Sequence, residues 1–408
     1  MTASRRLKIC YAVPGSDLVS SMGPTRNVLN LARALGQFAD VTVAFRRVAE
    51  PTRPEGVKIL EIEPAAASVR ADDAATAGIG YLQFLGYLRR LRRFAESELS
   101  AFDVVLEKSW LLSGYLSAQC AARGQLGVPV ENIVQNAGYA ARQQWTKWLR
   151  MRAGGWVAGR SMRKVPLVIA ETEFLKQEIH DHWKVAMDRI AVVHLGVDRG
   201  LFHPIDQAYA RQALGLPQQP TILTYVGVLD WTHNLAPVIE AMSNVAAANV
   251  ELHVVGDGAR RGEYEALAAR FPGRIRFHGR VPHSQVPQHI AAADLCLAPY
   301  ESAAFASGEL GYSTMKIPEY LSVGRAVASV PSGRIRSLVT DGGNGFLFAN
   351  EASNWREFLA TLPSRAALAT MGAAAVAVEL PSWETTAQGY YRLCLDALAG
   401  MVPSHEHR

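Results

Sequence analysis

A strand–helix alternation that runs through the chain twice constrains its fold more than any other feature. In the first series, short apolar runs at residues 7–13, 40–45, 57–62, 104–106, 128–134, 167–170 and 190–193 read as strands. Stretches with apolar residues at helical spacing separate them, at 25–35, 79–99, 111–123, 141–164 and 172–182. In the first of these, Val28, Leu31, Ala32 and Leu35 make the apolar stripe. Gly154 and Gly155 are expected to break the fourth, and the small, polar stretch 64–78 reads as a loop. Residues 194–217 carry neither period and read as a linker. Strands resume at 221–226, 250–255, 275–277, 295–299, 326–330 and 345–348, with helices at 236–247, 259–270 and 284–292, further helices up to about 379, and a last one at 383–398. Alternation on this scale specifies doubly wound parallel sheets. The expected class is α/β, with one domain over 1–200, a second over 201–380 and a C-terminal helix in 381–408.

The bulk numbers fit that class. A chain of 408 residues can bury two full cores. No apolar run reaches the roughly 18 residues that a membrane span needs, and the first residues lead straight into a strand, with no secretory signal expected. Cys10, Cys120, Cys296 and Cys394 lie far apart in apolar runs, and are expected to be buried free thiols in a reducing cytosol. Residues 1–200 hold 27 basic and 19 acidic side chains, against 15 and 18 in 201–408, which leaves the first part at +8 and the second at −3. The first part is therefore the one expected to meet an anionic surface or substrate.

The chemistry is expected around 293–330, which reads as strand, long loop, helix, strand. Lys316 and Glu319 fall on the first turns of that helix, Ser313 lies just before it, and Gly324 sits where a helix C-cap belongs. In open α/β sheets ligands bind at the carboxyl ends of strands, beside helix N-termini. Lys316 there suits a phosphate and Glu319 a sugar hydroxyl; from position alone, both also suit plain helix surface. Gly227, Gly256 and Gly279 each follow a strand of the second series, and glycine lets backbone approach a phosphate or base closely. His233 could hold a diphosphate oxygen or face water at a helix start, and Asn234 reads as a helix cap. There is no Asp-x-Asp, His-x-x-x-His or Cys-x-x-Cys, so no metal site is expected. The P-loop and Gly-x-Gly-x-x-Gly patterns are missing as well, which argues against a P-loop NTPase and against dinucleotide redox chemistry.

Two stretches of the first series mix basic and aromatic residues. Residues 81–94 place Arg89, Arg90, Arg92 and Arg93 beside Tyr, Phe and Leu. Residues 143–164 carry Lys147, Arg150, Arg152, Arg160, Arg163 and Lys164 among Trp145, Trp148 and Trp156, with no acidic residue. Such helices suit an anionic membrane interface; they also suit packed helices with a solvated basic face. Nucleic acid is not expected as a partner, since no known binding module is present.

Together these features resemble the GT-B glycosyltransferases, and within them the large retaining family 4 (glycosyl transferases group 1), in the Ser-x-x-Lys-x-x-Glu-Tyr pattern of Ser313, Lys316, Glu319 and Tyr320. Gly23 and its helix resemble the family's N-terminal glycine loop. Residues 192–198 (VVHLGVD) with 202–204 (FHP) resemble its interdomain signature. Residues 255–258 (VGDG), 277–281 (FHGRV), 292–299 and 319–327 resemble its donor-site landmarks, and 382–384 (SWE) the start of a helix that crosses back to the first domain. The resemblance implies two Rossmann-like doubly wound domains facing a cleft.

As implied by the resemblance, the activity is a retaining, metal-independent hexosyl transfer from a nucleotide-diphosphate sugar, without a cofactor. Glu319 would hold the ribose, and backbone at Arg280–Val281 the base. Gly227, Gly256 and Ser313 would line the donor site, and domain closure would bring Gly23 to its phosphates. Lys316 and His233 would neutralise the departing diphosphate. Gln135, which falls where the family often has a histidine, and Asn136 lie on the acceptor side. The family's first glutamate position is Gly311, so Glu309 would substitute, two residues out of register. Its diphosphate-binding Arg and Lys positions are Val228 and His233. The expected acceptor is a membrane-associated or lipid-linked glycan in polysaccharide biosynthesis, with the protein cytoplasmic and peripheral on the inner face of the membrane. A soluble natural-product acceptor, a non-catalytic nucleotide-sugar-binding protein and a sugar-nucleotide epimerase are the alternatives.

Overall fold

The structure is a computed structural model that describes residues 5–19, 23–48, 54–63, 81–134, 145–244, 249–305 and 307–401. The chain divides into two compact units. Unit 1 comprises Met1–Gly196, Gly311–Ser313 and Pro381–Arg408; unit 2 comprises Val197–Leu310 and Thr314–Leu380.

Unit 1 contains β1 (Lys8–Val13), β2 (Asp40–Phe45), β3 (Lys58–Glu61), β4 (Val104–Lys108), β5 (Leu126–Glu131), β6 (Val168–Ala170) and β7 (Ile190–Val192). They form one parallel sheet in the order β3-β2-β1-β4-β5-β6-β7. Unit 2 contains β8 (Thr221–Val226), β9 (Val250–Val255), β10 (Ile275–Gly279), β11 (Leu295–Ala298), β12 (Ala326–Ser329) and β13 (Gly345–Leu347). Its parallel order is β10-β9-β8-β11-β12-β13. Each sheet starts in the middle, runs to one edge and then reverses. The reversal leaves a crevice at the carboxyl ends of the strands where the direction changes. In unit 2 that switch point lies between β8 and β11, paired with Leu295 opposite Leu223 and Leu297 opposite Tyr225.

Burial explains why these runs became strands. β4 and β5 are buried along their whole length, as are β11 and β12, so both faces select apolar side chains, except at the carboxyl ends of β4 and β5, where Glu107, Lys108 and Glu131 are buried. In unit 2 Leu223, Tyr225, Leu252, Val254, Leu295 and Leu297 pack with Val238, Ile239 and Trp355 of the covering helices. All four cysteines are buried and unpaired.

The structure corrects several boundaries. β5 ends at Glu131 instead of 134. Helix Trp145–Met162 runs unbroken through Gly154. A Cβ on Gly154 would lie 2.7 Å from the backbone oxygen of Leu111, so this glycine serves a close approach and not a break. The expected linker contains a helix, Gln207–Ala213, whose cap Asp206 accepts from the Tyr209 N–H at 2.7 Å. Arg211 on that helix is fully buried: it pairs with Asp294 at 2.7 Å and donates to the carbonyls of Ala292, Gln218 and Pro220. This network gives the segment its fold despite its lack of apolar period.

The last helix, Trp383–Met401, belongs to unit 1. Its Tyr391 ring stacks on Phe38, just after helix Gly23–Leu35, at 5.6 Å, and Thr386 donates to the His194 carbonyl at 3.0 Å. Gly196 makes this approach possible, since a Cβ there would sit 2.5 Å from the Trp383 nitrogen.

Candidate active site

The polar groups of unit 2 converge at the carboxyl ends of β8 and β11. Tyr225 and Gly227 share a face at the end of β8, two residues apart. Gly227 has φ of 152°, and a Cβ there would lie 2.8 Å from the Lys316 Nζ and 2.9 Å from the Tyr225 Oη. Glycine thus makes room for the lysine head. One strand further out, Gly256 has φ of 136°, and a Cβ on it would fall 1.9 Å from the Gly227 carbonyl oxygen. The Gly256 N–H donates to the Gly279 carbonyl at 2.8 Å, and Gly227 donates to Val255 at 2.9 Å. The three strand-end glycines therefore form one close-packed backbone ledge.

Lys316 begins helix Lys316–Ser322 and is buried. Its Nζ donates to the Tyr225 Oη at 3.2 Å, and lies 4.4 Å from the centre of the Tyr225 ring and 5.2 Å from that of Tyr300. Its partners are thus a hydroxyl and two ring faces, with no carboxylate among them. Burial pushes its ammonium down to about 7, against the pull of Asp230 and Glu319. The helix is held in place by Tyr320, whose Oη accepts from the Val226 N–H at 2.9 Å and lies within hydrogen-bonding distance of the Val226 and Leu297 carbonyls. Tyr300 and Thr314 share a hydroxyl–hydroxyl bond immediately before it.

The loop after β8 folds around Asp230. One of its carboxylate oxygens accepts from the Thr232 N–H, the Thr232 hydroxyl, the His233 N–H and the His233 Nδ1. Burial acts to raise the Asp230 carboxyl, but the bonds from His233 and Thr232 hold it below the usual carboxylate range. Burial, and then the Lys316 charge, push His233 down to about 4 against its bond to Asp230. With Asp230 ionised, the proton of the neutral imidazole sits on Nδ1 and Nε2 carries a lone pair.

The structure thus brings Gly227, Gly256, His233 and Lys316 together in unit 2, with the half-buried Glu319 one turn along the same helix as Lys316. Arg280 is exposed and Val281 half-buried, just beyond the end of β10. Glu309 is engaged elsewhere: its two oxygens take a bidentate pair from Arg336 at 2.9 Å, and one also accepts from the Ser332 hydroxyl and the Gly333 N–H. Arg336 above all holds its carboxyl down at about 2. Ser313 and Gly23 belong to unit 1, Gly23 as the first residue of helix Gly23–Leu35. Gln135 and Asn136 lie outside the described residues. Asn234 is not the helix cap expected of it: Leu235 takes the N-cap position of helix Ala236–Ala241 without a side-chain bond, and Asn234, one residue earlier, accepts from the Ala236 N–H at 3.3 Å in a turn and donates to Glu301 at 3.0 Å. Sequence reasoning missed Tyr225, Tyr300 and Asp230; the available signals were the two-residue offset of Tyr225 from Gly227 and the Asp-x-Thr-His turn pattern.

Whole-chain likeness to solved structures follows this architecture. A sucrose-phosphate synthase from Thermosynechococcus elongatus matches with a TM-score of 0.74 at 18% identity, over 97% of this chain and 100% of that one. HepE of Anabaena, solved with UDP and glucose, matches at 0.72 and 17%, over 95% and 99%. The chain has the GT-B fold of these glycosyltransferases. Among curated proteins, a D-inositol 3-phosphate glycosyltransferase of a Nocardioides species is 24% identical over 322 residues, 73% of this chain and 68% of that protein. The protein of that name from Mycobacterium avium is 29% identical over 313 residues, 72% and 70%. The Glycosyltransferase Family 4 model matches residues 23–201, and the Glycosyl transferases group 1 model matches 220–362. The chain belongs to this family of glycosyltransferases.

Proposed function

We propose that this glycosyltransferase is a retaining, metal-independent enzyme that moves a sugar from a nucleotide-diphosphate sugar, with no cofactor, and that unit 2 binds the donor. The observation that carries this reading is Lys316: a buried ammonium on a glycine ledge at the sheet's switch point, bonded to a hydroxyl and two ring faces, with Asp230 and Glu319 near enough to attract it but not paired with it. A buried cation with no carboxylate bonded to it is costly and gains from an arriving anion. The diphosphate would meet Lys316 first. His233 would add a second positive contact by taking a proton on Nε2, because the incoming charge offsets the repulsion from Lys316 and Asp230 stabilises the imidazolium. In this reading the side chains themselves stabilise the charge that develops on the departing diphosphate. Glu319 would take the ribose, Arg280–Val281 the base, and Gly227 and Gly256 would let the phosphates approach backbone. Support for a nucleotide-sugar donor also comes from HepE, solved with UDP and with UDP-glucose.

The acceptor in this reading is a membrane-associated or lipid-linked glycan, and the protein is cytoplasmic and peripheral on the membrane. No helix among the described residues is long and apolar enough to cross a bilayer. Helix Trp145–Met162 nevertheless exposes Trp156 at 68% and Leu149 at 54%, with Trp148 also exposed. Arg160 lies over the Trp156 ring at 6.0 Å and Arg152 over Trp148 at 5.0 Å. Apolar surface rimmed by cations suits an anionic leaflet, where each basic residue contributes about 1 kcal/mol.

A thermal-shift panel of UDP-, GDP- and dTDP-sugars, followed by transfer and donor-hydrolysis assays, tests the donor reading. One nucleotide series should raise the Tm and support transfer with retained anomeric configuration. Binding without transfer or hydrolysis would instead establish a non-catalytic sugar-nucleotide binder, and interconversion without an acceptor an epimerase. For the membrane, the protein should pellet with anionic vesicles at low salt, and the W148A/L149A/W156A variant should stay in solution. If the unsubstituted protein stays in solution, the membrane reading is wrong, and a soluble natural product becomes the better acceptor class.

A further inference from the structure

Two buried lysines in this protein have opposite surroundings. In unit 1, Lys108 at the end of β4 pairs with the buried Glu171 carboxylate at 2.8 Å. Burial acts to lower it, but Glu171 wins and holds its ammonium above the ordinary range. That lysine is committed. In unit 2, Lys316 has no such partner and stands between two tyrosines.

The tyrosines are placed to do more than fill space. The Tyr225 hydroxyl donates to the Val228 carbonyl at 2.6 Å, so its lone pair is turned to the Lys316 Nζ. The Tyr300 hydroxyl is tied to Thr314, and its backbone bridges to His233. Both rings also meet His233, at centroid distances of 6.2 Å from Tyr225 and 5.1 Å from Tyr300. The charged or titratable groups around Lys316 are Tyr225 on β8, Asp230 and His233 on the following loop, Tyr300 after β11, and Glu319 on its own helix. Asp230 already accepts four hydrogen bonds from its own turn.

We propose that Tyr225 and Tyr300 are positioning residues that take the place of a carboxylate counter-ion: they hold the Lys316 ammonium and the His233 imidazole on one spot and leave both open to a doubly charged phosphate anion. This rests on the reading that Lys316 meets the donor diphosphate. A ring face and a hydroxyl stabilise an ammonium enough to keep it in place. Neither cancels its charge, so an incoming anion displaces no salt bridge. The donor site is therefore gated by proton occupancy: the anion binds well when Lys316 is charged and poorly when it is not.

The test uses Tyr225→Phe, which keeps the ring and removes the acceptor, and Tyr300→Leu, which removes the ring face. Tyr209→Phe, on an exposed tyrosine of helix Gln207–Ala213, is the control. The Lys316 ε-methylene is followed by NMR against pH in protein carrying 13C-lysine, with its signal assigned by loss in Lys316→Arg. UDP affinity is measured over the same pH range, and melting temperatures confirm folding. Both test variants should move the Lys316 midpoint down by about 0.5–1 pH unit, and the alkaline loss of UDP affinity should move with it. Lys316→Arg, charged throughout, should show no alkaline loss. An unmoved midpoint in folded Tyr225→Phe overturns the positioning role, whatever UDP does. A midpoint that moves while UDP affinity ignores pH in every variant, Lys316→Ala included, overturns the donor reading beneath it.

Discussion

Replacing Lys316 by alanine is expected to lower sugar transfer by about 10²–10³-fold, the usual cost of removing one preorganised group that meets developing charge. The loss should appear in turnover and in nucleotide affinity together, because the same ammonium meets the diphosphate before and after the glycosidic bond breaks. Steady-state transfer and nucleotide binding measure the two; rates near those of the unsubstituted enzyme would remove Lys316 from the site. Stability supplies a second readout. Burial brings the Lys316 ammonium down to about 7 in the folded chain, from an ordinary value of 10.5 in the unfolded one. Between these values the unfolded chain holds the extra proton, so stability should rise as pH climbs from about 7 to 10.5. Below about 7 both states are protonated and the burial cost is fully present. Lys316→Met should abolish that rise and be more stable than the unsubstituted protein at neutral pH.

The largest loss of stability is expected for Gly256→Ala. The new methyl would fall 1.9 Å from the Gly227 carbonyl oxygen, which is backbone and cannot rotate away, at a φ of 136° that L-residues rarely adopt. The cost should be about 3 kcal/mol or more, a fall in Tm of about 6–12 °C for a domain of this size. Gly262→Ala is the matched comparison. It lies on helix Arg261–Ala268 with nothing within 4 Å of the added carbon, and should be neutral or slightly stabilising. Thermal unfolding of both variants decides the matter: equal melting temperatures would mean that the glycine ledge is not tightly packed.

The strands were legible because a parallel strand covered on both faces writes its burial directly into an apolar run, as in β4 and β11. Strand-end glycines were legible for a related reason: where backbone meets backbone, as at Gly227 and Gly256, no other residue fits. Lys316 and Glu319 could be placed by their position after β11. Tyr225 had only its two-residue offset from Gly227 to mark it, and Tyr300 nothing: the two are distant in sequence and reach Lys316 and His233 together only once β8 lies beside β11, a pairing fixed by sheet order and invisible to local pattern. Glu309 shows the reverse limit. The family resemblance suggested it as a stand-in for the first glutamate, two residues out of register from Gly311, while its actual bonds run to Arg336, Ser332 and Gly333. The helix at Gln207–Ala213 was hidden because a buried arginine network, and not an apolar stripe, pays for it.

The return of helix Trp383–Met401 to unit 1 has a consequence for the order in which the protein can be made. The groups that complete unit 1, among them the buried Ala387, Tyr390 and Cys394, are translated after the whole of unit 2. Unit 2 ends at Leu380, so its sheet can close while the first-synthesised unit still waits for its final helix. The half of the molecule translated first is therefore the half finished last, and a premature stop shortly after residue 380 would leave the earlier unit incomplete and the later one whole.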